Sequence, residues 1–118
     1  MALISGVSAQ RWSELPELYA PDARVRHPLA TDASALLVGR EQLREHFAQA
    51  GRVGVTMQAH DVIVHETEDP EVIVAEFTYR GRVGGSAAFK VPAVFVMRVR
   101  NGQIVESRDY IGPRQPLA

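Results

Sequence analysis

The chain has 118 residues, enough for one domain with a single core. Hydrophobic residues make up 46% and charged residues 23%, and thirteen Lys and Arg against fourteen Asp and Glu leave a formal charge of −1, so no basic nucleic-acid-binding surface is expected. The absence of cysteine excludes disulfides, thiolate metal ligands and a cysteine nucleophile. No apolar run approaches the roughly 20 residues of a membrane span. The first residues, Met1 to Gly6, lack the basic and apolar segments of a signal peptide, so a cytoplasmic protein is expected.

The first half of the chain reads as helical. Trp12, Leu15, Leu18 and Tyr19 recur at three- and four-residue spacing, which predicts a helix over about Gln10–Tyr19. Pro16 is tolerated only near a first turn, so this helix starts late. Ala23–His27 reads as a short extended piece closed by Pro28, and residues 29–38 as a loop with an apolar patch at Leu36, Leu37 and Val38. A second helix is predicted over Arg40–Ala50, with Leu43, Phe47 and Ala50 as its buried stripe and Gly51 at its C-cap.

The second half reads as strands. Val53–His65 alternates imperfectly, as a strand with a bulge would. From Val72 to Val83 the alternation is clean, with Ile73, Ala75, Phe77 and Tyr79 on one face and Glu76, Thr78, Arg80 and Arg82 on the other. After Gly84 and Gly85, every second residue from Ala87 to Val99 is apolar, and Asn101-Gly102 marks a hairpin into Gln103–Ile111. A two-residue turn there would pair Arg100 with Gln103 and set Asp109 on the face of Arg98. A three-residue loop pairs Val99 with Gln103, Met97 with Val105, Phe95 with Ser107 and Ala93 with Asp109. The hydrophobic pattern selects the second register, because a one-residue slip turns every side chain to the other face. Asp109 then becomes an acid on an otherwise apolar concave face, flanked by Val105, Ser107 and Ile111.

The order of helices followed by a curved four-stranded meander resembles the nuclear transport factor 2-like fold. The segments Trp12–Ala23, Val25-Arg26-His27-Pro28, Val38–Glu41 and Asn101–Ile111 resemble its SnoaL-like and ketosteroid isomerase-like branch, over nearly the whole chain. The resemblance implies an α+β cone, with N-terminal helices packed on a strongly curved antiparallel sheet that encloses a pocket. It also implies positions for catalytic groups. His27 stands where ketosteroid isomerase has its general base, while Phe95 and Leu3 stand where that enzyme has its oxyanion-binding acid and tyrosine. Arg108-Asp109-Tyr110 looks like the last-strand segment of limonene epoxide hydrolase, but Phe77 and Tyr79 occupy the places of its other two polar groups. A single acid/base aspartate, as implied for SnoaL-like polyketide cyclases, fits Asp109.

Asp109 is the first candidate for catalysis, since a carboxyl on an apolar face is either partnered or functional and burial raises its pKa. Salt bridging to an arginine is the structural alternative. His27 is the second, as a proton acceptor or as a satisfied core histidine. If the two converge, the carboxylate favours the imidazolium and apolar walls oppose it. Tyr79, Phe77, Phe95, Met97, Ser107 and Ile111 are the expected substrate-binding residues of the strands, with Tyr19 and Trp12 added from the first helix. Ser107 with Asp109 and His27 lacks the strained elbow of a nucleophilic triad. His46, His60 and His65 give no metal-ligand spacing, so neither metal nor cofactor is expected. Val94, Val96, Ile104 and Tyr110 among charges on the outer sheet face suggest a homodimer. Two functions fit: metal-free acid–base chemistry on a small hydrophobic molecule, of isomerase, cyclase or hydrolase/dehydratase type, or a non-catalytic ligand-binding or dimerisation module.

Overall fold

Alternation of apolar and polar residues folds the second half into four strands: β3 (Val55–Glu66), β4 (Val72–Val83), β5 (Phe89–Arg100) and β6 (Gln103–Ile111). The computed structural model describes residues 2–117. β4 keeps its predicted bounds, with Ala75, Phe77 and Tyr79 buried and Glu76 and Arg80 exposed. β5 buries Phe89, Val91, Ala93, Phe95 and Met97, while Ala87 lies outside the strand and is exposed.

The first half departs further from expectation. Instead of a helix over Gln10–Tyr19, a helix α1 (Ala2–Ser8) comes first, and only Leu15–Leu18 coil, as a 3₁₀ turn that carries Pro16 near its start. Tyr19 and Trp12 are therefore not on a common helix. Tyr19 opens strand β1 (Tyr19–Arg26), and the expected loop holds a 3₁₀ turn (Ala33–Ala35) and a short strand β2 (Leu36–Val38). The sheet order is β2-β1-β6-β5-β4-β3, and β1 runs parallel to β6, so the sheet is mixed rather than antiparallel throughout. Helix α2 (Arg40–Arg52) starts where predicted, buries Leu43 and Phe47, and runs two residues past Ala50. Gly51 lies inside it. A Cβ there would approach the Trp12 ring to 3.2 Å, so this glycine makes room for an aromatic neighbour rather than capping the helix.

Three irregularities interrupt the regular pairing of the strands. The bulge expected in β3 is found where Asp61 adopts φ 56 and the pairing with β4 shifts between His60 and Ile63. The β5–β6 turn is the two-residue type, with Asn101 and Gly102 at φ 53 and 76, and it pairs Arg100 with Gln103. The register then shifts between Arg98 and Val99, leaving Val105 as an extra residue, so that Phe95 faces Asp109 and Met97 faces Ser107. The expected three-residue loop, with Phe95 opposite Ser107 and Ala93 opposite Asp109, is thus incorrect. The bulge reverses the parity that the turn imposes, and Asp109 still reaches the inner face. Ile104 precedes the bulge, which turns it inward to 6% exposure and removes it from the outer face.

The third irregularity follows β6. Strand β7 (Gln115–Pro116) resumes pairing with β5 at Phe89 and Lys90. Between Ala93–Ile111 and Lys90–Gln115, three steps along β5 face four along the tail, so this segment also carries one extra residue. At Gly81 the strands come closest. A Cβ there would sit 1.9 Å from the Thr56 carbonyl oxygen, so β3 and β4 can meet at this point only through a glycine.

Candidate functional site

The concave face, α1 and α2 enclose a cavity of about 180 Å³. Leu3 and Val7 of α1, Leu43 and Phe47 of α2, and Val25 and Phe95 of the sheet supply apolar wall. Trp12 stacks on Phe47 with ring centroids 6.5 Å apart, forming part of the roof. Its polar lining comes from Tyr19, His27, His46, Tyr79, Asp109 and Arg114. An adjoining hollow of about 270 Å³ shares His27, His46, Asp109 and Ile111, so these residues stand between the inner chamber and the surface.

Asp109 and His27 meet in this wall. Asp109 is 5% exposed, and its Oδ2 lies 3.6 Å from Nε2 of His27. That gap is too long for a direct hydrogen bond. The other carboxylate oxygen accepts from the hydroxyl of buried Ser107. Burial dominates the balance and pushes the Asp109 carboxyl up to about 6, although the Ser107 hydrogen bond and the His27 charge both pull it down. The carboxyl therefore exchanges its proton near neutral pH.

The backbone fixes the orientation of His27. Arg26 ends β1, Pro28 turns the chain, and the His27 amide donates to the Ala35 carbonyl at 2.9 Å. The ring Nδ1 lies 2.6 Å from the Ser34 carbonyl oxygen. A carbonyl only accepts, so Nδ1 carries hydrogen and Nε2 is the atom turned toward Asp109. The His46 ring of α2 lies beside it, tilted, with ring centroids 5.6 Å apart. Burial and the neighbouring His27 charge hold His46 below the usual histidine range.

Tyr19 and Tyr79 flank the acid. Burial first, and the Asp109 charge second, push both phenols up, so both remain protonated donors at neutral pH. Their hydroxyls are available to an oxygen atom of a ligand.

The expected binding residues divide accordingly. Trp12, Tyr19, Tyr79, Phe95 and Ile111 line the cavity together with Asp109 and His27. Phe77, Met97 and Ser107 do not. Phe77 lies behind, edge-on to Tyr79 and Phe95 at 4.7 and 5.0 Å, and faces a groove on the far side with Leu29 and Val94. Met97 is fully buried in the core, and Ser107 spends its hydroxyl on Asp109. Sequence reasoning missed His46 and Arg114. His46 sits one residue before Phe47 at the edge of the stripe of α2 (a visible signal), whereas the position of Arg114 depends on the second bulge of the β6–β7 edge. Among the described residues, no three His, Asp or Glu side chains converge to hold a metal.

A model of the SnoaL-like domain family matches residues 2–107, ending two positions before Asp109. No curated protein matches the sequence. Three solved structures illustrate the similarity. A proposed isomerase from Bacillus subtilis has a TM-score of 0.84 at 20% identity, over 95% of this chain and 82% of its own. A proposed polyketide cyclase from Xanthomonas campestris pv. campestris has a TM-score of 0.78 at 16% identity, over 92% and 84%. A protein from Catenulispora acidiphila with a ketosteroid isomerase-like fold, in complex with trimethylamine, has a TM-score of 0.78 at 20% identity, over 94% and 82%. At these identities the likeness is one of fold, the nuclear transport factor 2-like cone with its sheet left open.

Proposed function

The chain belongs to the SnoaL-like domain family, and on that premise we propose that it binds a small, largely apolar molecule in its cavity and performs cofactor-independent acid–base chemistry on it. The reaction is of isomerase, cyclase or hydrolase/dehydratase type. One observation carries this reading: a buried carboxyl held at about 6 faces, across a 3.6 Å gap, an imidazole whose outer nitrogen is locked by the Ser34 carbonyl. A general base works best with a pKa near the operating pH. Asp109 takes a proton from the bound molecule, and the protonated Asp109 returns it at a second atom, while His27 holds its ring beside the carboxyl. Net protons are unchanged, as an isomerisation or ring closure requires. The hydroxyls of Tyr19 and Tyr79 donate to an oxygen on which negative charge builds up.

The test is turnover of small cyclic carbonyl and hydroxy compounds by the wild-type protein, followed by Asp109→Asn and His27→Ala. Loss of rate in Asp109→Asn by about 10²–10⁴-fold supports the assignment. Unchanged rates in both variants would leave the fold as a ligand-binding or dimerisation module instead.

A homodimer through the outer sheet face is part of the same proposal. Half-buried Val94 and Val96 stand there beside Tyr110, which is 37% exposed. Sedimentation showing only a 13.0 kDa species would exclude it. No helix of the described residues is long and apolar enough to cross a membrane. We take the protein to act in the cytoplasm, a placement that cell fractionation checks.

A further inference from the structure

We propose that Arg114 makes the mouth of the cavity an anion subsite, so that the ligand is a compound of about one ring carrying a carboxylate or a similar anionic group. This rests on the reading of the cavity as a ligand site and adds to it the ligand's charge and size.

The position of Arg114 is set by backbone. Along β6 the inward residues are Ser107, Asp109 and Ile111, and continued alternation would send Arg114 to the outer face. The extra residue between Ile111 and Gln115 reverses that parity and places Arg114 among the cavity-lining residues. The segment is tied to β5 on both sides of the arginine. The Gly112 amide donates to the Pro92 carbonyl at 2.9 Å, β7 pairs with Phe89 and Lys90, and the Leu117 amide donates to the Ala88 carbonyl at 3.1 Å. The guanidinium carbon lies 4.6 Å from the centre of the Phe89 ring, which holds the side chain against β5.

Its electrostatic surroundings are those of a group awaiting an anion. Among the described residues, no carboxylate lies within ion-pair distance of Arg114. Arg11, Arg40, Arg44, Arg52, Arg98 and Arg100 do have such partners, whereas Arg24, Arg26, Arg80, Arg82 and Arg108 have none either, and of the arginines Arg114 alone lines the cavity. Arg114 and Ile111 are the exposed members of the lining, so the cation stands at the entrance. A molecule whose ring fills the apolar middle can present a carboxylate to Arg114 and its reacting atoms to Asp109 and His27.

Volume limits the ring system. The chamber's roughly 180 Å³ compares with about 150 Å³ for a buried apolar cavity that holds benzene. A single ring with one or two substituents fits. The planar fork of an arginine suits a carboxylate or phosphate.

The experiment is an NMR titration of the full chain with phenylacetate and with its neutral isostere phenylacetamide, in wild type, Arg114→Lys and Arg114→Gln. The expected result is that wild type binds phenylacetate about tenfold more tightly than the amide, a preference that shrinks with added salt. Arg114→Lys retains part of it, and Arg114→Gln brings the two probes within about twofold while still binding both. Equal binding of the two probes by wild type overturns the subsite alone, as does a preference that survives in Arg114→Gln. If neither probe shifts the amide signals of the cavity residues, the subsite falls together with the ligand-site reading beneath it. The wild-type comparison and its salt dependence decide the question even if a variant does not fold.

Discussion

Two carboxylates on the same sheet illustrate opposite electrostatic regimes. Glu71, ahead of β4, receives hydrogen bonds from Arg98 and Arg100 at 2.9–3.0 Å at a partly exposed surface site, and these guanidiniums lower its pKa to about 2. Asp109, on the inner face of β6, has a serine hydroxyl and one imidazole, and burial raises it to about 6. The first carboxylate is charged at every physiological pH and sits in a solvated network whose worth is small. The second is close to its midpoint and surrounded by apolar wall. Partnering keeps a charge fixed, whereas burial with incomplete partnering makes a proton mobile, and only the second arrangement can do acid–base work.

The largest expected effect lies on the inner face. Asp109→Asn should reduce turnover by about 10²–10⁴-fold, equivalent to about 3–5 kcal/mol of transition-state stabilisation. The same change should raise stability at alkaline pH, because it removes a charge that the fold holds unfavourably. The Asp109 pKa is raised in the folded state, so the stability its neutral form contributes is complete below about 3.8 and is lost as pH rises through about 6. A melt of Asp109→Asn near pH 8 should therefore exceed wild type by up to about 3 kcal/mol, on the order of 10–15 °C. An unchanged or lower melting temperature there would mean that Asp109 is stabilised as a carboxylate, like Glu71, and the contrast between the two faces would collapse.

Smaller effects separate the partners of Asp109. The Ser107 hydrogen bond opposes burial more than the His27 charge does, so Ser107→Ala should move the carboxyl midpoint upward further than His27→Gln. A reversed order, read by carbon-detected NMR, would shift the controlling role to the imidazole. Glu71→Gln should change least. Its lowered pKa contributes stability that is present above about 4.5 and lost as pH falls toward about 2. At neutral pH the melting temperature should stay within about a degree, since Arg98 keeps Asp69 and Glu106.

The sheet was largely legible because period-two alternation in β4 and β5 records burial on one face directly. The first half was not. Trp12, Leu15 and Tyr19 are spaced as on one helix, yet each packs from a different element, and the true helix α1 is a short apolar segment without a capping signal. Asp109 and His27 could be picked out as a titratable pair on apolar elements, but their convergence needed the parallel pairing of β1 with β6, where Val25 faces Ser107. The facing of Asp109 came out as expected although its register did not, because the two-residue turn and the Val105 bulge offset each other in parity. Arg114 was hidden by the same physics: the tail after Ile111 is too short for broken alternation to mark its extra residue, as it did in β3.

The most direct measurement is the titration of the Asp109 side-chain carboxyl by NMR. A buried acid with one serine hydroxyl as its hydrogen-bond donor should titrate with a midpoint near 6. A midpoint at or below about 4 would show an ordinary ion-paired carboxylate and contradict the acid–base site.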